Sequence, residues 1–245
     1  MSRQNRGAIV LLDDCLTSYC EPQVNQAAVR VLEAAGYEVH LAGLKCCGRA
    51  AISKGMLGYA KVLAEENIAR LLPWAERGIP IVGCEPSCLL TLVDEYPDLV
   101  PGASALQVAG VAVLIDTQLA RSPHDLDLKP LRARAMLHGH CHQKALVGMR
   151  ETQMALATIR ELEVETLDSG CCGMAGSFGY EHYDFSMKIG ERVLLPAVRG
   201  AVDRPIIAPG FSCRQQVLHG TNRRALHPIE LIAQQLPGQG RGVTA

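Results

Sequence analysis

Short unbroken apolar runs and longer stretches of helical spacing alternate along this chain, and they do so twice in the same order. The run Gly7 to Leu12 has the length and composition of a buried strand. Glu21 to Ala35 follows with Val24, Ala27, Ala28, Val31 and Leu32 on one face of a helix. Tyr37 to Leu41 predicts a second strand, about Leu57 to Arg77 a long helix, and Ile79 to Val82 a third strand, short and buried. The second half repeats this with strand Arg134 to Leu137, helix Lys144 to Glu161, strand Glu163 to Leu167, helix Tyr183 to Val198 and strand Ile206 to Ala208. In the last of these helices Phe185, Ile189, Val193 and Leu194 share a face, which is expected to be core.

Strands alternating with helices predict an α/β fold with mainly parallel sheets, organised as two similar Rossmann-like halves. The halves are expected at residues 1–120 and 121–245, joined by a linker from about Pro97 to Pro130 whose most loop-like part is SPHDLDLKP.

Cysteines mark the same points in each half. Cys15 follows the first strand, Cys46 and Cys47 follow the second and precede Gly48, and Cys88 follows the third. Cys141, the pair Cys171 and Cys172 with Gly173, and Cys213 take the corresponding places in the second half. Cys15 to Cys46 is 31 positions against 30 for Cys141 to Cys171, and Cys47 to Cys88 and Cys172 to Cys213 are both 41. In a parallel α/β unit the loops at the carboxyl ends of the strands converge, so each half is expected to gather its four cysteines into one crevice. Cys20 and Cys84 fall outside the shared pattern.

Composition narrows what these thiols do. With 24 Lys plus Arg against 25 Asp plus Glu, the net charge is −1, and no global basicity points to nucleic acid. The apolar run near the N-terminus, Ala8 to Leu12, ends at two aspartates and does not read as a signal peptide, and no run approaches the ~20 residues of a membrane helix. A cytoplasmic location is expected. Ten cysteines in that setting argue for metal binding or redox chemistry rather than a disulfide framework.

Adjacent cysteines fit disulfide geometry poorly, so a bridge within Cys171-Cys172 would be strained. Four thiols per half suit tetrahedral zinc or an iron–sulfur cluster, and either would supply the positive charge that partly buried thiolates need. Structural zinc usually takes ligands paired two to four residues apart. Here a single cysteine, an adjacent pair and another single lie tens of residues apart, which favours a cluster whose several irons can each be reached from a different loop. Gly173, Ala175, Gly176, Ser177 and Gly179 are small enough to let backbone N–H groups approach the sulfurs.

The segments DSGCCGMAGSFGYE, HGHCHQKAL, PIIAPGFSCRQQ and GCEPSCLLTLVDEYPDL carry a resemblance. From about Val10 to Gln235 the chain resembles the duplicated cysteine-rich, or CCG, domain. That domain occurs in a subunit of heterodisulfide reductase, in the iron–sulfur subunits of glycolate oxidase and anaerobic glycerol-3-phosphate dehydrogenase, and at the C-terminus of FAD-linked D-2-hydroxy-acid dehydrogenases. The resemblance implies iron–sulfur clusters, of 4Fe-4S type and one or two per chain, with ligands at Cys15, Cys46, Cys47 and Cys88 and at Cys141, Cys171, Cys172 and Cys213. It implies an electron-transfer subunit relaying electrons from the flavin of a 2-hydroxy-acid or glycerol-3-phosphate type dehydrogenase to an acceptor. The alternative it leaves open is thiol and disulfide chemistry at a cluster, as in heterodisulfide reductase. Some relatives have a fifth cysteine three positions before the last; Glu85 and Gly210 stand there, which argues against a five-cysteine noncubane site.

There is no ferredoxin-like cysteine run and no room for a flavin domain, so the chain is expected to work with an FAD-containing subunit and a ferredoxin-like subunit. Membrane association is expected only peripherally, through partners. No nucleophile triad or carboxylate pair marks a catalytic site of its own. His138, His140 and His142 alternate around Cys141, a pattern that suits hydrogen bonding or proton supply near a cluster better than a metal triad. Lys144 and Arg214 follow ligand cysteines, either to offset cluster charge or as ordinary surface cations. Tyr180, Glu181 and His182 are expected to close the loop after the cysteine pair rather than to donate protons. Cys84 is expected to pack at a strand end, and Cys20 to be a bystander.

Overall fold

The computed structural model describes residues 5–122 and 126–238 and divides the chain into two compact units, Met1–Leu126 and Asp127–Ala245. In the first, β1 (Ala8–Leu11), β2 (Glu38–Leu41), β3 (Ile81–Gly83) and β4 (Ala112–Leu114) form one sheet in the order β2-β1-β3-β4. Every pairing is parallel. β1 and β3 lie inside the sheet, and Ile9, Val10, Leu11, Ile81 and Val82 are fully buried, as unbroken apolar runs require when both faces are covered. β2 is an edge, and its EVHL sequence is accordingly half exposed.

The helix Pro22–Ala34 starts with proline in its first turn, where no N–H is missed, and buries Val24, Ala27, Ala28, Val31 and Leu32, the five residues its spacing selects. Helix Leu57–Ala75 lies on the crossover from β2 to β3, the long return that strands of a parallel sheet need.

The stretch read as a linker holds more structure than expected. Helix Ala103–Val111, β4 and helix Ile115–Arg121 lie within it. β4 is three residues long and continuous with the apolar helix before it, so neither period 2 nor a turn signal marks it in the sequence. Pro123, His124 and Asp125 of SPHDLDLKP lie outside the described residues.

The second unit has β5 (Ala133–Leu137), β6 (Leu162–Thr166) and β7 (Ile206–Ile207), all parallel, in the order β6-β5-β7. These three strands thus repeat the arrangement of β2, β1 and β3. Two expected helices are broken. Cys141–Leu146 and Arg150–Ala157 are separated at Gly148, whose φ of +75° takes the left-handed region. Tyr183–Gly190 and Leu194–Gly200 are separated by a turn.

The expected core face holds only in part: Leu194 is buried and Ile189 half-buried, but Phe185 and Val193 are not. Ser186, Gly190, Leu194, Leu195 and Val198 are buried, whereas Phe185 is 62% and Val193 39% exposed. Ser186 can face inward because Gln216 Nε2 donates to both its carbonyl and its hydroxyl oxygen, each at 3.1 Å. A buried serine with its polar atoms satisfied costs little, and helical spacing alone does not register it.

Candidate metal centres

In each unit the first strand has its two neighbours on opposite sides, β2 and β3 about β1, β6 and β7 about β5, which creates a crevice at the carboxyl ends where the strand order reverses. All eight cysteines of the shared pattern sit on chain leaving those ends. Cys15 follows β1, Cys46 and Cys47 follow β2, and Cys88 lies in the helix Pro86–Leu90 directly after β3. Cys141 opens the helix Cys141–Leu146 after β5, Cys171 and Cys172 follow β6, and Cys213 lies in the helix Phe211–Thr221 after β7.

The structure brings each quartet together. In the first unit hydrogen-bonding contacts link Cys15 with Cys46, Cys46 with Cys47, Cys47 with Cys88 and Cys88 with Cys15, a closed ring of sulfurs. Thiols of Cys15 and then Cys47 donate to Cys46 and hold it down at about 2, while that contact pushes Cys15 up to about 11. Cys47 is raised by Cys46, and Cys88 by Cys15 and Cys47. In the second unit the sulfurs link in sequence, Cys141 to Cys171, Cys171 to Cys172 and Cys172 to Cys213. Cys171 is held down at about 2 by Cys141 and Cys172, and Cys213 is lowered by Cys172. Cys141 and Cys172 are raised by the sulfurs they donate to.

These opposed shifts have one cause: sulfurs this close cannot all be thiolates unless a cation lies among them. Four convergent soft donors per unit therefore fit a thiophilic metal centre, which would let every sulfur ionise. Cys47, Cys88, Cys172 and Cys213 are buried, whereas Cys141 and Cys171 reach solvent. The adjacent pairs form no vicinal disulfide.

The glycine after each pair has the same task in both units. Gly48 (φ +87°) and Gly173 (φ +97°) turn the backbone so that their N–H groups reach Cys46 Sγ at 3.5 Å and Cys171 Sγ at 3.3 Å. The later glycines do other work. Gly176 N–H donates to Ser212 Oγ at 3.3 Å, and a Cβ at Gly179 would overlap Met174 Sδ.

Polar residues without a motif brace the first loop. Asn67, fully buried in the helix Leu57–Ala75, donates to the Cys46 carbonyl at 3.1 Å and to Tyr96 Oη at 2.9 Å, and accepts from Lys45 N–H at 3.2 Å. Tyr96 Oη donates in turn to the Cys47 carbonyl at 3.0 Å. Asp14, missed by sequence reasoning, is buried beside Cys88, accepting from Leu16 and Thr17 N–H at 3.0 Å and from Thr17 Oγ1 at 2.7 Å; burial pushes its carboxyl up. An asparagine among Leu63, Ala64, Ile68 and Leu71 was the one available signal for Asn67. Tyr96→Phe removes a buried donor from the Cys47 carbonyl and an acceptor from Asn67, and is expected to destabilise the metal-free chain by about 1–3 kcal/mol, read from urea denaturation.

In the second unit Lys144 Nζ donates to the carbonyls of Ser169 and, at 3.3 Å, Gly170, and buried Arg214 donates to those of Ala208 at 2.9 Å and Pro209 at 2.7 Å. Both cations thus clamp loop backbone beside the cysteines. Of the three histidines, a ring nitrogen of His138 lies with Cys172 and Cys213 Sγ in a buried group whose atoms are all within 4.8 Å of one another; His140 is buried near Cys213 as well, and its ring pairs with that of His142, centroids 6.4 Å apart. Tyr180 and His182 are exposed and pack on His219 and Phe178 respectively. Cys84 is 1% exposed at the end of β3, and Cys20 is exposed.

The fifth-cysteine positions are occupied otherwise. A Cβ at Gly210 would overlap the His140 ring, and Glu85 is buried as the N-cap of the helix Pro86–Leu90, accepting from Ser87 N–H at 3.3 Å.

The model of the cysteine-rich domain, CCG, matches residues 9–93 and 135–217, one copy in each unit. Relatives include a subunit of the anaerobic glycerol-3-phosphate dehydrogenase of Escherichia coli K12, 29% identical over 245 residues, which cover 95% of this chain and 60% of that protein. D-2-hydroxyglutarate dehydrogenase of Pseudomonas putida is 30% identical over 240 residues, 94% of this chain and 23% of that protein. A subunit of the CoM/CoB fumarate reductase of Methanothermobacter marburgensis is 30% identical over 234 residues, 94% of this chain and 45% of that protein. The chain thus spans at most about three fifths of these relatives. Two domain matches, each coinciding with a sulfur quartet at the carboxyl ends of a parallel sheet, show that this chain belongs to the CCG cysteine-rich domain family.

Proposed function

We propose that each quartet holds an iron–sulfur cluster of 4Fe-4S type, with Cys15, Cys46, Cys47 and Cys88 as one ligand set and Cys141, Cys171, Cys172 and Cys213 as the other. The chain is then a cytoplasmic electron-transfer module that accepts electrons from a flavin-bearing dehydrogenase of 2-hydroxy-acid or glycerol-3-phosphate type and passes them on, with a ferredoxin-like subunit as a further partner. The observation that carries this reading is the convergence of four sulfurs from three loops in both units. The dehydrogenase names of the relatives support the partner class. Among the described residues no helix is long and apolar enough to cross a membrane.

The bound groups would supply one-electron chemistry at potentials set by their surroundings. The chain supplies the rest. Gly48 and Gly173 direct N–H groups at ligand sulfurs, Asn67 and Tyr96 fix the first cysteine loop, and Lys144 and Arg214 fix the loops of the second. Exposure of Cys141 and Cys171 leaves an edge of the second site open to a donor or acceptor. The same opening, with the likeness to part of a CoM/CoB fumarate reductase, favours as second reading thiol and disulfide chemistry at a cluster in that site.

Anaerobically purified protein should contain about two clusters per chain by iron and acid-labile sulfide analysis, with an EPR signal on reduction. Zinc in place of iron, or a metal-free chain, would overturn the reading. Copurification of a flavoprotein supports the relay; a spectral change on adding a disulfide without any flavoprotein supports the second reading instead.

A further inference from the structure

The two units place different groups beside equivalent sulfurs. Three positions before the first cysteine of each quartet stand Leu12 and His138, and one position before it stand Asp14 and His140. Leu12 is buried in the same apolar core as Cys47 and Cys88, and Asp14 brings a carboxylate within hydrogen-bonding reach of Cys88. In the second unit both residues are buried imidazoles near Cys213.

His138 is the better defined of the two. It is fully buried, and its Nδ1 lies 2.7 Å from Ser169 Oγ. Among the described residues its Nε2, fully buried, has no hydrogen-bond partner, which leaves that atom free to turn to the sulfurs nearby. Cys213 Sγ is within its hydrogen-bonding reach, and the ring nitrogen, Cys172 Sγ and Cys213 Sγ lie mutually within 4.8 Å.

We propose that His138 tunes the second site: Ser169 Oγ–H donates to Nδ1, Nε2–H donates to the Cys213 sulfur, and the second site therefore takes up an electron at a higher potential than the first. The inference rests on the cluster reading above. Its physical basis is that reduction adds negative charge. A hydrogen bond to a ligand sulfur stabilises that added charge, and buried Leu12, at the place of His138 in the first unit, has none to offer. Electrons entering the chain would come to rest in the second unit, where Cys141 and Cys171 are exposed.

The test is a potentiometric titration of the anaerobically purified full chain followed by EPR. Each dithionite is oxidised to two sulfites and gives up two electrons, one to each of two sites, and Cys47→Ser and Cys172→Ser variants assign each signal to its unit. The second site should be reduced first. His138→Leu should move its potential down and leave the first site's unchanged; His138→Gln, which keeps an N–H donor, should recover part of the shift. Ser169→Ala, which loosens the ring without touching the sulfurs, should give a smaller shift in the same direction. An unchanged second potential in iron-loaded His138→Leu overturns the inference. Should that variant fail to load, an unchanged potential in Ser169→Ala overturns it equally. Strong nitrogen hyperfine coupling in the reduced second site would also overturn it, because the imidazole would then be a ligand and not a donor. An iron-free wild type would sink the cluster reading itself, whereas loaded variants with unshifted potentials sink this inference alone.

Discussion

Cys172→Ser is expected to leave the chain with close to half its iron and sulfide, and with the EPR signal of the first site only. Cys172 is 3% exposed and lies between Cys171 and Cys213 in the linked sulfurs of the second unit. Serine nearly matches cysteine in volume, so packing against Met136, Met174 and Leu195 should survive. What is lost is the soft donor. A serine hydroxyl does not ionise near neutral pH, and the remaining three sulfurs cannot complete the quartet. Cys47→Ser should remove the other half by the same logic, and the double variant nearly all of it. Cys20→Ser, at an exposed position outside the pattern, should change nothing. Iron and sulfide assays on anaerobic preparations check all four; wild-type iron in Cys172→Ser would refute the ligand assignment.

Much of this site was legible because strand ends are legible. Cysteines placed after each of three predicted strands, twice, with an identical 41-residue second interval, leave convergence at the carboxyl ends as the natural outcome of a parallel sheet. The helix Pro22–Ala34 was equally plain, since its five buried residues follow one stripe. β4 was not, because a three-residue strand between apolar helices carries no period of its own.

The helix Tyr183–Gly190 misled for a different reason. Its apolar stripe predicts Phe185 inward, yet the inward residues are Ser186 and Gly190, selected by Gln216 and by the close approach of the Cys172 carbonyl, 3.1 Å from where a Cβ on Gly190 would stand. Both partners are distant in sequence. The same holds for Asn67 and Tyr96, whose value lies in backbone carbonyls of a loop that no local pattern connects to them. Alternation of His138, His140 and His142 marked the right segment; of the three, a ring nitrogen of His138 lies within 4.8 Å of both Cys172 and Cys213 Sγ.

Gly173→Ala is expected to damage the second unit far more than Gly48→Ala damages the first, although the two glycines are equivalent in the repeat. Both have φ in the left-handed region, +97° and +87°, which costs an alanine about 1–3 kcal/mol. At Gly48 that strain is most of the effect, since the added Cβ meets Ala60 Cα and carbonyl oxygen at 3.5 Å, an ordinary contact. At Gly173 the Cβ would overlap the Ser186 carbonyl oxygen and stand 3.1 Å from Ile189 Cβ. Backbone of a packed helix cannot yield as a flexible side chain can, so the helix Tyr183–Gly190 must shift or the loop must move. Either movement breaks a specific contact: the Gln216 hydrogen bonds to Ser186 in the first case, the Gly173 N–H to Cys171 Sγ in the second. Thermal unfolding of the metal-free variants should therefore show a clearly larger loss for Gly173→Ala, and metal analysis should show the second site depleted while Gly48→Ala retains most of the first. Equal losses in the two variants would mean that the left-handed turn alone, and not the approach of the helix, is what glycine serves after the paired cysteines.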